Sequence, residues 1–365
     1  MVLASTPSKR RRDIAMTNQT APNRIDWVDY SKGICIILVV MMHSVLGYGE
    51  MVHAEGWMHP VVEFAKPFRM PDFFLIAGLF LSRSIMGDGR SYFDRKIVHF
   101  AYFYLLWLAI QTVLFEVPLL LSDPLGFATL FLKALIIPNG SLWFVHMLAV
   151  FYAITWAVRH VSKPVIFAIA ALLQIIFAVG VIDTGWSVTN RFAEWYVFFF
   201  AGYAFAPAIF EFATRIATNT RVALEALLLW AILNYMAVQG GVSGLPVFGL
   251  VLGFAGAAAI IAVGALLAKH GLGGALRYAG KYSIVIYLTF FIPMKIAQKG
   301  FSMTEIIPDV GTASALVLVA GVVLPLIGHR LIKNTPLIAL YERPPWAKMS
   351  AAKRKTHTKT ALLKG

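Results

Sequence analysis

Long apolar runs, broken by short polar segments, occupy the chain from residue 24 to residue 333. A helix that crosses a bilayer needs about 20 mostly apolar residues. Segments of roughly that length lie at 31–49, 68–85, 97–117, 141–159, 164–182, 192–212, 221–239, 246–268, 281–298 and 311–332. The pattern predicts an all-α, polytopic integral membrane protein with about ten transmembrane helices. The segment 124–137 is apolar but short and lies between Pro124 and Pro138, so it is expected to be re-entrant or interfacial. A transmembrane domain over 24–333 is thus flanked by two basic tails, 1–23 and 334–365, with no internal repeat. Gly249, Gly253 and Gly256 make one face of the run 246–268 small, which is expected to serve close helix packing.

Composition supports the same solvent. Of 365 residues, 59% are hydrophobic and 14% charged, against about 25% charged in an ordinary soluble domain. That excludes a soluble two-domain enzyme, a secreted disulfide scaffold and a disordered chain. The single cysteine, Cys35, allows no intrachain disulfide. The first apolar run begins too deep for a cleaved leader, and none is expected.

Charge adds a direction. The net charge is +14, from 32 Lys and Arg against 18 Asp and Glu. With ten spans, alternate loops separate by sign. One side holds the N-terminal tail, Arg83, Arg90, Arg95, Lys96, Arg159, Lys163, Arg215, Arg221, Lys269, Arg277, Lys281 and the C-terminal tail. The other holds Glu50, Glu55, Glu63, Glu116 and Asp123, with Lys133, Arg191, Lys295 and Lys299. Basic loops stay in the cytoplasm, so both termini are expected there. An eleventh span at 124–137 would destroy the alternation. The same rule accounts for the basic tails, and no nucleic-acid partner is expected.

Motifs narrow the chemistry. There is no phosphate-binding Gly-x4-Gly-Lys loop, no His-Glu-x2-His or Cys-x2-Cys metal signature and no Gly-x-Ser-x-Gly elbow. His53 and His59 with Glu55 are read as solvated loop residues. Ionisable groups inside a span are the stronger candidates. Lys32 and His43 share one face of the first span and stand roughly 16 Å apart along its axis. Asp72 follows Lys66, Pro67, Arg69 and Pro71 into the second span, at a depth comparable to His43. A carboxylate there would orient the imidazole as a general base. The alternative is that Asp72 pairs with Arg69, three residues earlier. Arg83, Arg90, Arg95 and Lys96 in the next loop suit a phosphate-rich ligand such as coenzyme A, and topology alone also accounts for them.

These residues resemble a known family. Asp29-x2-Lys32-Gly33 with His43, then Met70-Pro71-Asp72-Phe73-Phe74-Leu75-x2-Gly78, is similar to the opening of the membrane acyltransferase-3 family. That family typically shows an Arg-x10-His pair in its first span and a Pro-x-Phe-Phe-x3-Gly stretch in its second. Leu142-Trp143-Phe144, Phe199-Phe200-x-Gly202-Tyr203 and Gly280-x2-Ser283-x3-Tyr287-Leu288 continue the resemblance in order to about residue 333. Lys32 replaces the usual Arg, Lys96-x2-His99 beside Arg95 stands for a basic pair, and Phe290 occupies a position often held by His.

The resemblance implies acyl transfer across a membrane. The expected donor is acyl-CoA from the cytoplasm, with no permanently bound cofactor or metal. The expected acceptor is a hydroxyl of a surface or periplasmic carbohydrate or glycolipid, and the expected location is the inner membrane. His43 would be the general base and Asp72 its orienting partner. Lys32, Arg69, Arg90, Arg95 and Lys96 would bind substrate. One rival is a transporter or flippase with an intramembrane Lys, His and Asp relay. The kinks at Pro67, Pro71 and Pro293 allow it, and the absence of a repeat argues against it. A non-enzymatic scaffold would leave the buried His without purpose.

Overall fold

A computed structural model describes residues 24–349 except Asn139, Val179, Val181 and Glu305. The described residues form helices and turns and no strand. The principal helices are α1 (Asp26–Val52), α2 (Arg69–Gly78), α3 (His99–Phe115), α4 (Trp143–Ala157), α5 (Lys163–Ala178), α6 (Ser187–Ala204) and α7 (Ala206–Thr218), followed by α8 (Thr220–Gln239), α9 (Pro246–His270), α10 (Gly274–Lys281), α11 (Ser283–Thr289), α12 (Phe291–Thr304) and α13 (Val310–Ile332).

Each apolar run read from the sequence is largely helical over its described residues, but not every helix is a full span. Six stretches of the described residues are long and apolar enough to cross a bilayer, or eight if each of two bent pairs counts as one span. The expected ten therefore exceeds what helix length alone supports. The second run is the short α2 with a single 3-10 turn at Leu81–Arg83, and α5 has only 16 residues. α6 and α7 meet at 75°, where Pro207 opens α7, and α11 and α12 meet at 52° just before Pro293. The run 124–137 forms the 13-residue helix Pro124–Ile136, capped by the Asp123 carboxylate on Gly126 N.

α1 is the hub. It packs against α2, α9, α10, α12 and α13. Val28, Cys35, Ile36, Val39, Val40 and Met41 are all buried, so little of the helix meets solvent or lipid. Apolar residues all round mark an interior helix. α8 shows the opposite state: Leu224, Leu228, Leu229, Leu233 and Met236 are each more than half exposed. That surface is stable only against lipid.

Small residues set the spacing around α2. Gly78 lies against the Phe199 carbonyl and Gly202 against the Leu75 carbonyl, so α2 and α6 cross with their backbones in contact. Gly253 and Gly256 of α9 lie against Pro71, Phe198 and Phe68, which is the packing expected of that face. Gly249 meets no neighbouring helix there; a Cβ at that position would approach the Ser243 carbonyl at 3.2 Å.

Beyond α13 the chain turns back on the bundle. Tyr102 Oη and Trp107 Nε1 donate to the Ala339 and Leu340 carbonyls, both at 2.9 Å. Tyr341 Oη and Thr289 Oγ1 lie 2.8 Å apart. The Asp94 carboxylate accepts from Arg343 Nη2 at 2.8 Å and from Met349 N at 2.9 Å. The segment read as a tail from residue 334 is therefore a packed strap as far as Met349. The basic clusters at 9–12 and 353–355 lie outside the described residues.

Candidate active site

α1 carries both leading candidates, and two different cavities receive them. His43 lines a cavity of about 390 Å³ together with Met42, Lys66, Arg69, Trp143 and Trp195. Its imidazole makes no hydrogen bond with any described residue, and its ring packs against Phe290 at 5.4 Å. The backbone beneath it is fixed instead. Gln298 Nε2 of α12 donates to the His43 carbonyl at 3.1 Å and the Ser44 carbonyl at 3.3 Å. The ring is thus held by packing while both nitrogens remain free for a ligand.

Lys32 lines a second cavity, of about 220 Å³, with Lys96, Ala77, Phe100, Leu148 and Tyr152. Its ammonium has no hydrogen bond or ion pair among the described residues. The adjacent Asp29 carboxylate is taken by Arg24. Lys96 stands over the Tyr152 ring at 4.9 Å.

A third and larger cavity, of about 710 Å³, opens at the basic end of the bundle. Arg95, Lys96, His99, Arg343 and Lys348 line it with Asp94 and Glu342. Asp94, Arg95 and Lys96 come from a single π-helical turn, Asp94–Val98, which leads into α3. Such bulges are frequent where side chains must be re-aimed for function.

The three cavities stand in series. The Lys32 cavity shares Phe80 and Lys96 with the basic one, and Phe73, Phe144 and Tyr287 with the His43 one. Two contacts build the inner partition: the Phe73 and Phe144 rings stack at 4.5 Å and 10°, and Tyr287 Oη donates to the Ser141 carbonyl.

Not every candidate joins this arrangement. The expected approach of Asp72 to His43 is not formed, nor is its alternative with Arg69. The Asp72 carboxylate is fully buried and accepts from Cys35 Sγ at 3.4 Å. Cys35 precedes His43 by roughly 12 Å along α1. Arg69, one turn before Asp72, is the residue that shares the cavity of His43, with Nη1 donating to the Val62 carbonyl at 3.4 Å. Arg95 also bonds Ser91 beside the basic cavity. Arg90 is exposed on the short helix Gly89–Phe93 and lines none of the three cavities. Sequence reasoning gave no site role to Ser141, Trp195 or Arg343. Tyr287 stood only as part of a family echo, although a tyrosine in an apolar run must find a partner and is a usable signal.

Residues 25–329 match the model of the acyltransferase domain family. The chain belongs to that family. By the length and composition of its helices it is an integral membrane protein. The chain is similar to a protein of Escherichia coli (strain K12) described as inner membrane protein YcfT, with 25% identity over 228 residues. That match covers 55% of this chain and 62% of the relative's length, which is under two thirds. No solved structure matches the chain.

Proposed function

We propose that the protein transfers a short acyl group, such as acetyl, from cytoplasmic acyl-CoA to a hydroxyl of a carbohydrate or glycolipid on the opposite face of the inner membrane. The observation that carries this reading is the series of three cavities. A basic chamber at one end leads past Lys32 to a cavity where His43 presents an unpaired imidazole.

In this reading the donor's phosphates lie among Arg95 and Lys96, and Lys32 steadies its pantetheine arm. The thioester reaches His43 past Phe73, Phe144 and Tyr287. The imidazole takes the proton of the acceptor hydroxyl as its oxygen attacks the thioester carbonyl. Arg69, which lines the same cavity, stabilises the developing oxyanion. Collapse of the intermediate breaks the carbon–sulfur bond, and the proton held by His43 passes to the leaving thiolate. Trp143 and Trp195 supply flat apolar faces for an acceptor sugar. Asp72 serves the α1–α2 seam through Cys35 and takes no proton. Arg90 contributes surface charge.

The direct test is His43→Ala in native membranes, assayed for acceptor acylation with acetyl-CoA. Loss of a general base lowers the rate by about 10²–10⁴-fold. Transfer at the wild-type rate by a folded, inserted variant would eliminate this mechanism.

A further inference from the structure

The basic cavity has a wall that the family domain does not supply. The family match ends at residue 329, whereas Tyr341, Arg343 and Lys348 face this cavity from the strap beyond α13. Arg343 is only 7% exposed. Its Nη2 donates to Asp94, while its Nε and Nη1 are buried with no hydrogen-bond partner among the described residues. A residue that only pinned the strap would need no more than the pair with Asp94. Buried donors without acceptors are costly and uncommon in native proteins, and an anion would satisfy them. The neighbours suit an anion too. Arg95, Lys96, His99 and Lys348 line the same cavity, against the carboxylates of Asp94 and Glu342. Asp94 is occupied by Arg343 and Met349 N.

We propose that Arg343 is a phosphate-binding residue of this chamber, and that the strap 336–349 completes the site for a nucleotide-linked acyl donor. The assignment rests on the reading of the chamber as the donor side. The cavity, about 710 Å³, lies within the usual range for a ligand of that size. Arginine is the residue best fitted to the task, because its planar guanidinium stays charged and directs several N–H bonds at phosphate oxygens. Asp94 acts as a positioning residue that fixes the guanidinium plane.

The experiment uses the full chain in phosphatidylcholine nanodiscs and measures equilibrium binding of adenosine 3′,5′-bisphosphate, which carries donor-type phosphates and no acyl group. Wild type is expected to bind. Arg343→Gln should weaken binding by about 10–100-fold, the usual worth of hydrogen bonds to a charged partner. Arg343→Lys, which keeps the charge and the partner Asp94, should recover part of that loss. It should raise the donor KM and leave kcat near wild type. Arg343→Gln strands a buried carboxylate and risks misfolding, so the neutral pair Asp94→Asn/Arg343→Gln is measured beside it, with thermal stability recorded. Weak binding by the folded double variant supports the site. Unchanged affinity in any folded Arg343 variant overturns it, as does a wild type that binds no bisphosphate. Arg343-dependent binding of phosphatidate by a wild type that binds no bisphosphate would assign the phosphate to a lipid headgroup and overturn the donor assignment. Insensitivity of binding to Arg343, with transfer still lost in His43→Ala, would reject this inference alone. Retained transfer in His43→Ala would reject the catalytic reading and leave the binding result standing.

Discussion

An ammonium left without a hydrogen bond inside a bundle is expensive, and Lys32 is held there beside Lys96 across a cavity of about 220 Å³. On the proposed function, a bound donor would supply the missing partner. A contact made equally in ground and transition states changes KM rather than kcat. Lys32→Ala should therefore raise the apparent donor KM several-fold with a smaller fall in kcat, measured as acceptor acylation across donor concentrations. Lys32→Arg should keep most activity, since charge and reach are retained. The spacing of Lys32 and His43 was legible because helical periodicity alone puts them on one face of α1. Asp72 was placed beside His43 on comparable depth alone, which leaves the direction of approach open. The chain approaches through the helix His59–Ala65 and a turn, so Arg69 reaches the cavity of His43 and Asp72 turns to Cys35. Asp72→Asn should consequently cost transfer far less than His43→Ala does in the same assay. Arg343 was hidden because a charge in a polar terminal stretch reads as a tail, and only the fold-back buries it.

Helices owe their positions here to small residues as much as to apolar ones. In lipid there is little hydrophobic drive between helices, so close packing must bring them together. Gly78 and Gly202 put α2 and α6 in backbone contact, and that contact aims Phe73 and Phe74 at α4. A methyl group at Gly202 would collide with the Leu75 carbonyl, which belongs to backbone and has little room to yield. Overpacking of this kind costs about 1–3 kcal/mol. Gly202→Ala should lower the thermal midpoint of the purified protein and its folded yield, with Gly244→Ala, which meets open space, as the control. Hydropathy made the apolar runs legible as helices, because each is long and nearly free of charge. It could not show that α2 ends at Gly78, or that the chain bends between α6 and α7 and between α11 and α12. Those breaks follow from packing and from prolines near the joints.

Charge gives the molecule its two ends, and three cavities that share lining residues lie in series within it. Arg83, Arg90, Arg95 and Lys96 fall in the connection between α2 and α3, and Glu55 and Glu63 in the one between α1 and α2, with Glu50 in the last turn of α1. The positive-inside rule then requires opposite sides for the two loops. Reporter fusions after residue 60 and after residue 90 should report outside and inside respectively, and equal signals would overturn the orientation. The proposed function carries a hazard, since water admitted to the thioester would hydrolyse it before an acceptor arrived. The stacked rings of Phe73 and Phe144, beside the tied hydroxyl of Tyr287, stand where that admission would occur. Exclusion of water is a recognised guard against such side reactions. Phe144→Leu keeps an apolar side chain at the partition but removes the stacked ring, which opens space between the Lys32 and His43 cavities. The variant should release free thiol from acyl-CoA without acceptor at several times the wild-type rate, while acylated product per thiol released falls. A thiol-release assay run with and without acceptor measures both. An unchanged ratio in a folded Phe144→Leu variant would mean that the partition does not control water, and that the route from donor to His43 lies elsewhere.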